Sequence, residues 1–278
     1  MTAERTAAAV AARPVAVDAF MDFQCPYSYR VVAWLDELGP ERVTVRHHFF
    51  AIEQVNRDPA ATEWRLWDQP LDYRHWRELP DRRPLLAFLA MAIVEATEPA
   101  DVTQAFRLTL YMARFDFGKD ISDLEVVEQA ARMSGVAEGR IRTGLGDPAQ
   151  EAAARGRIAA DRALARGEFE IFGVPTLRLD GSRPVYTRLA GMVAPADAAR
   201  LLETLVAVRD AAPEILELKA VEPAKPADGG SSAEGVKPAG PPDAGGRTVQ
   251  GPTAQASALG ASAPPASIDP ARGTPGTA

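Results

Sequence analysis

Of 278 residues only one is cysteine, Cys25, so no disulfide can form within the chain and a disulfide-stapled secreted scaffold is excluded. Histidine is nearly as scarce, with three copies. His47 and His48 are neighbours on a predicted strand and so point to opposite faces, and His75 is remote; without a second cysteine no zinc site is expected, and no metal is assigned. No stretch reaches the roughly 18 uninterrupted apolar residues that a membrane span needs. The first 17 residues have no continuous apolar core of leader length, because Glu4, Arg5 and Arg13 interrupt their small residues. A cytoplasmic protein without a membrane partner is the expectation. Cationic side chains are in deficit: the net charge of -7 and a pI near 5.2 argue against nucleic acid as a partner, since phosphate recognition needs clustered lysine and arginine. No internal repeat at a fixed period is visible.

The composition that remains is that of a globular chain, 46% hydrophobic and 25% charged, long enough for a full core. Its clearest boundary lies near residue 221. From Glu222 to the end stand ten of the 23 prolines, ten of the 21 glycines and no aromatic residue. Such a segment buries too little apolar surface to offset its ordering entropy, so 221–278 reads as a disordered Pro/Gly/Ala tail.

Ahead of the tail the pattern is α/β. Val15 to Met21 is a run of strand formers bounded by Arg13-Pro14 and Asp22. Pro26 suits the first turn of a helix, where its missing N–H has no partner to lose. From Tyr27 to Leu38, Val31, Trp34, Leu35 and Leu38 recur at helical spacing until Gly39-Pro40 stops the pattern. Val43 to Phe50 reads as a second strand, which makes a βαβ unit with a parallel pair. Residues 60–166 read as helical throughout, with helices expected at Arg83 to Glu95, Val102 to Phe115, Asp123 to Met133 and Ala149 to Ala165. Thr176 to Leu179 and Val185 to Leu189 follow as a hairpin, and Pro195 to Val208 as a closing helix.

The expected division is therefore 14–59 for the βαβ part, 60–166 for a helical insertion and 167–210 for the hairpin and last helix. The segment Asp22-Phe23-Gln24-Cys25-Pro26-Tyr27-Ser28-Tyr29 resembles the active-site turn of the DsbA-like thioredoxin-fold family (DsbA/FrnE type). Phe172-Gly173-Val174-Pro175-Thr176 resembles that family's cis-proline loop. The likeness implies a thioredoxin fold interrupted by an all-helical insertion, with Cys25 and Ser28 as catalytic positions. It also implies that Pro26, Tyr27, Val174, Pro175 and Thr176 contact the substrate or thiol. The chain departs from redox members by carrying Ser28 where they have a second cysteine. The Ser-Pro-Tyr-Ser turn of kappa-class glutathione transferases and 2-hydroxychromene-2-carboxylate isomerases is also similar, but Leu189-Ala190-Gly191-Met192 stands where those proteins carry Trp-Gly-x-Asp.

Independently of the resemblance, a thiol at a helix N-terminus faces unpaired N–H groups and the positive end of the macrodipole. That placement predicts a Cys25 pKa lowered from about 8.5 toward roughly 3.5 to 7.5; the alternative is a small buried hydrophobe, the commoner fate of a lone cysteine. Ser28 reads either as a hydrogen-bond donor to the thiolate or as a plain first-turn helix residue, and Asp22 either tunes the thiol or ends the strand. A cis Val174-Pro175 bond, which X-Pro sites adopt at little cost, would leave the Val174 peptide groups to pair with an extended ligand. Trp64, Trp67, Tyr73 and Trp76, beside Arg65, Arg74, Arg77, Arg82 and Arg83, read either as core with a solvated basic rim or as a ligand groove.

Three functions stay open. The first is a monothiol thiol-disulfide oxidoreductase or isomerase acting on a protein disulfide or small-thiol substrate, with no bound cofactor and glutathione or a similar thiol as co-substrate. The second is a kappa-type glutathione transferase or isomerase. The third is a non-catalytic adaptor that keeps the groove. Oligomeric state is not readable from the sequence.

Overall fold

The computed structural model describes residues 13–56, 64–73 and 85–211. His75, Trp76, Arg74, Arg77, Arg82, Arg83 and the 221–278 segment lie outside the described residues. The strand β1 (Val15–Met21) leads into α1 (Pro26–Leu38) and β2 (Val43–Phe49). Among the described residues, six α-helices and a 3-10 turn at Leu66–Asp68 then precede the return to the sheet: α2 (Ile52–Asn56), α3 (Leu85–Thr97), α4 (Ala100–Phe115), α5 (Leu124–Met133), α6 (Arg140–Gly146) and α7 (Pro148–Ala163), the last running into a π turn at Leu164–Glu168. The hairpin β3 (Thr176–Leu179) and β4 (Val185–Tyr186) and the helix α8 (Pro195–Ala211) complete the described fold.

The four strands lie in the order β2-β1-β3-β4, with β1 parallel to β2 and antiparallel to β3. Ala19 pairs with His47 on one side and Leu177 on the other, so β1 is central and its last residues, Ala19, Phe20 and Met21, are buried. This is the expected thioredoxin fold with helices between the βαβ unit and the hairpin.

Local signals set most element starts. Pro26 takes the first helical position of α1, and Asp123 and Asp147 cap α5 and α7 by accepting backbone N–H bonds. The sequence reading lacks α2, and α6 lies inside the 60–166 stretch read as helical but has no bounds of its own there; the two are only five and seven residues long, too short for an apolar period to show. The last strand is shorter than expected. After Tyr186 the Thr187 N–H bonds the Pro175 carbonyl at 2.9 Å. Arg188 then turns to the Tyr27 hydroxyl, and the Leu189 carbonyl accepts from Arg30 at 2.7 Å. The chain thus leaves the sheet edge to meet α1.

The core is centred on α3, where ten consecutive residues from Leu85 to Val94 are buried, the mark of a helix enclosed on all sides. Gly144 of α6 comes so close that an added Cβ would lie 2.7 Å from Ile93 Cγ2. Trp34 of α1 is buried and donates its indole N–H to the Ala198 carbonyl of α8 at 3.0 Å. A polar seam crosses the opposite side of the sheet: His48 bonds Asp161 at 2.9 Å and Asp18 at 3.2 Å, while Arg157 bridges Asp161 and Glu95. Among the described residues, no helix is long and apolar enough to cross a membrane.

Candidate active site

Where β1 ends, the chain turns through Asp22, Phe23 and Gln24 and enters α1 at Cys25. Cys25 is the N-cap residue, and its sulfur accepts the Ser28 backbone N–H at 3.4 Å. The thiol donates in turn to the Val174 carbonyl at 3.6 Å. Val174–Pro175 is cis. Two segments far apart in sequence therefore meet at one sulfur atom, and Cys25, Pro26, Tyr27, Ser28, Val174, Pro175 and Thr176 share one neighbourhood. Thr176 donates its hydroxyl to the Gly173 carbonyl at 2.7 Å, which closes the proline loop on itself.

Cys25 does not sit as the sequence suggests. It is 5% exposed, within a small apolar cluster formed with Phe20, Phe50, Ala165, Ile171 and Val174. Burial pushes its thiol pKa up, and the nearby Asp22 carboxylate acts in the same direction. Hydrogen bonds from Ser28 and from the Tyr27 backbone favour the thiolate but do not prevail. The expected acidic thiol is thus corrected. The helix terminus is there, but removing the sulfur from water penalises its charged form more than the helix end rewards it.

Asp22 is 1% exposed. Its carboxylate accepts the Gln24 and Ile52 backbone N–H groups, each at 2.7 Å. Burial still outweighs these bonds and pushes its pKa up to about 6, with the Glu53 charge adding to the rise. Ser28 is fully buried, and its hydroxyl oxygen accepts the Asp22 N–H at 3.3 Å. Tyr111 donates to the Asp22 carbonyl at 3.2 Å. The residue at the second redox position is therefore a strut between Asp22 and Cys25.

Around this centre the structure adds residues that sequence reasoning missed. The Arg188 guanidinium lies 4.0 Å from the Tyr27 ring centroid and Arg30 lies 5.2 Å from it. Phe172 and Tyr186 are 68% and 40% exposed, with ring centroids 5.3 Å apart, and the Tyr186 hydroxyl feels the charges of Cys25, Tyr27 and Arg188. Phe172 had been read only as part of the loop motif. By contrast, Trp64, Trp67 and Tyr73 pack against the main core and not in the cluster that holds Cys25. For these three residues the groove reading gives way to core packing.

The DSBA-like thioredoxin domain model matches residues 16–207 of this chain, which is most of its length. The chain belongs to the DSBA-like thioredoxin family. Solved structures with a similar fold include the cytosolic disulfide reductase DsbM from Pseudomonas aeruginosa with GSH, at 19% identity and TM-score 0.44, covering 69% of this chain and 98% of that one. The MdbA thiol-disulfide oxidoreductase from Actinomyces oris is similar at 16% identity and TM-score 0.47, covering 69% and 81%. The oxidoreductase DsbA from Xylella fastidiosa is similar at 18% identity and TM-score 0.41, covering 72% and 89%. No curated protein matches the chain.

Proposed function

We propose that the protein is a monothiol thiol-disulfide oxidoreductase that works in the reducing direction through Cys25, with glutathione or a similar small thiol as co-substrate. The observation that carries this reading is the Cys25 sulfur held 3.6 Å from the Val174 carbonyl, with Ser28 in place of a second thiol. In the first step the Cys25 thiolate attacks one sulfur of a substrate disulfide. A Cys25–substrate disulfide forms, the substrate S–S bond breaks, and the displaced thiolate takes up the proton that Cys25 gave up. Ser28 has no sulfur with which to displace the bound half. An external thiol does so instead: its thiolate attacks the mixed disulfide, Cys25 leaves as thiolate and is reprotonated, and the product is a disulfide between substrate and small thiol. The net reaction is one exchange of thiol for disulfide, and a second small thiol completes the reduction.

Burial and Asp22 hold Cys25 as the thiol at rest, so both the attack on the substrate and the release of the mixed disulfide depend on the Ser28 and Tyr27 hydrogen bonds that favour the thiolate. A monothiol of this kind requires a pool of reduced small thiol, and a cytoplasmic location fits that need. The exposed Phe172 and Tyr186 flank the loop at which an extended peptide or thiol ligand would pair.

The test is to incubate the chain with oxidised glutathione and map the adduct by mass spectrometry. One glutathione on Cys25, removed by reduced glutathione and absent from Cys25→Ser, is the expected result. No adduct on the folded chain, under conditions where the urea-unfolded chain reacts, overturns the proposal in favour of the adaptor reading, which the 5% exposure of Cys25 favours.

A further inference from the structure

Helix α7 and the turn after it carry four arginines whose surroundings differ sharply. Arg155 pairs with Glu151 at 2.7 Å, and Arg157 pairs with Glu95 and Asp161 at 2.9 and 3.0 Å. Arg162 and Arg166, one turn further on, have no carboxylate partner among the described residues, and Glu168 beside them pairs with neither. The Arg162 Nη1 is fully buried and has no hydrogen-bond partner among the described residues. A buried guanidinium nitrogen without an acceptor is costly, and native structures keep one where an ion, water or ligand completes it.

The position of the pair says what that ligand is near. Arg162 lies over the Phe50 ring, 5.7 Å from its centroid. Arg166 is exposed and donates to the Ile171 carbonyl at 3.4 Å. Phe50 and Ile171 belong to the same apolar cluster as Cys25, and so does Ala165, which sits between the two arginines in sequence. The backbone here is a π turn, in which the Phe169 N–H reaches back five residues to the Leu164 carbonyl at 3.3 Å. Such turns occur mostly where a helix is locally reshaped for function. Burial and then the charge of Arg166 make Arg162 a weaker base than an ordinary arginine, and among the described residues no carboxylate pairs with either cation.

We propose that Arg162 and Arg166 form a site for a carboxylate of the small disulfide or thiol that reacts at Cys25, so that the protein selects anionic over neutral disulfides. The proposal rests on the monothiol reading above. A carboxylate would accept charge-assisted hydrogen bonds from exposed Arg166 and from the half-buried Arg162 guanidinium, offset their repulsion, and anchor the substrate beside the Cys25 cluster.

The test compares rates of mixed-disulfide formation at Cys25 with oxidised glutathione, which is anionic, and with 2-hydroxyethyl disulfide, which is neutral. The readout is the ratio of the two rates. Arg162→Gln is expected to lower this ratio about tenfold, the order expected for loss of one charge-assisted bond, and Arg166→Gln, at an exposed position less able to disturb folding, to lower it in the same direction. High salt should lower the wild-type ratio as well. An unchanged ratio in both variants overturns the site. A Cys25 that reacts with neither disulfide overturns the monothiol reading instead. The arginine pair is then read by calorimetric binding of reduced glutathione to Cys25→Ser: affinity weakened about tenfold by Arg166→Gln supports the site, whereas equal affinity or no binding overturns it.

Discussion

Replacing Asp22 by asparagine should make the protein more stable at neutral pH, although it removes a hydrogen-bonded side chain from the middle of the site. Asp22 is 1% exposed, and its pKa is pushed from 3.8 up to about 6. A rise of that size means that ionising the buried carboxyl takes about 3 kcal/mol of folding stability. The sign follows from proton binding. Between 3.8 and about 6 the folded chain holds a proton that the unfolded chain has lost, so stability falls as pH rises through that window and the full penalty stands above about pH 6. Asparagine removes the charge but keeps only one accepting oxygen, so either the Gln24 or the Ile52 N–H loses its partner, a loss of about 1–2 kcal/mol. The net expectation is a gain of about 1–2 kcal/mol near pH 7.5 that shrinks with acidification, vanishes near about pH 5 and becomes a deficit of roughly 1 kcal/mol near pH 4. Urea denaturation of both proteins across that range measures it. Because the Asp22 charge also raises the Cys25 pKa, the alkylation midpoint of Cys25 should move down in the same variant. A variant less stable at neutral pH, a stability difference independent of pH, or an alkylation midpoint that rises would refute the reasoning.

Ser28→Cys should give Cys25 an internal thiol one turn along α1, and the lifetime of the glutathione adduct followed by mass spectrometry should fall at least about tenfold; an unchanged lifetime would count against the monothiol account. Gly144→Ala should destabilise the fold by about 1–3 kcal/mol, read as a lower urea midpoint, because its Cβ would lie 2.7 Å from buried Ile93. Trp34→Phe should lower stability by about 2–3 kcal/mol in the same assay, since it empties space in the core and leaves the Ala198 carbonyl without its indole donor.

Much of this site could be read along the chain because its makers are local. Pro26 after Cys25 announces a helix start wherever it occurs, and the run from Val15 to Met21 makes a strand whatever packs on it. The motif residues at 172–176 gave the second half of the site, and the structure brings Val174 to the sulfur. The differences have two causes. A helix of five or seven residues leaves too few apolar positions for a period, and the end of β4 depends on where Arg188 and Leu189 find partners on α1.

The order of strands and helices, the helix N-terminus at Cys25 and the absence of a second thiol were thus decided by sequence alone, through periodicity, proline and a count of one. The character of that thiol was not. Whether a sulfur at a helix end becomes acidic depends on how much water it keeps and which charges face it. Only the packing of Phe50, Ala165 and Ile171 around Cys25, and the burial of Asp22 against Ile52, decided both. The same holds for Arg162 and Arg166, which no motif marks: electrostatics act through space, so a cation's meaning depends on the acids that folding leaves out of its reach.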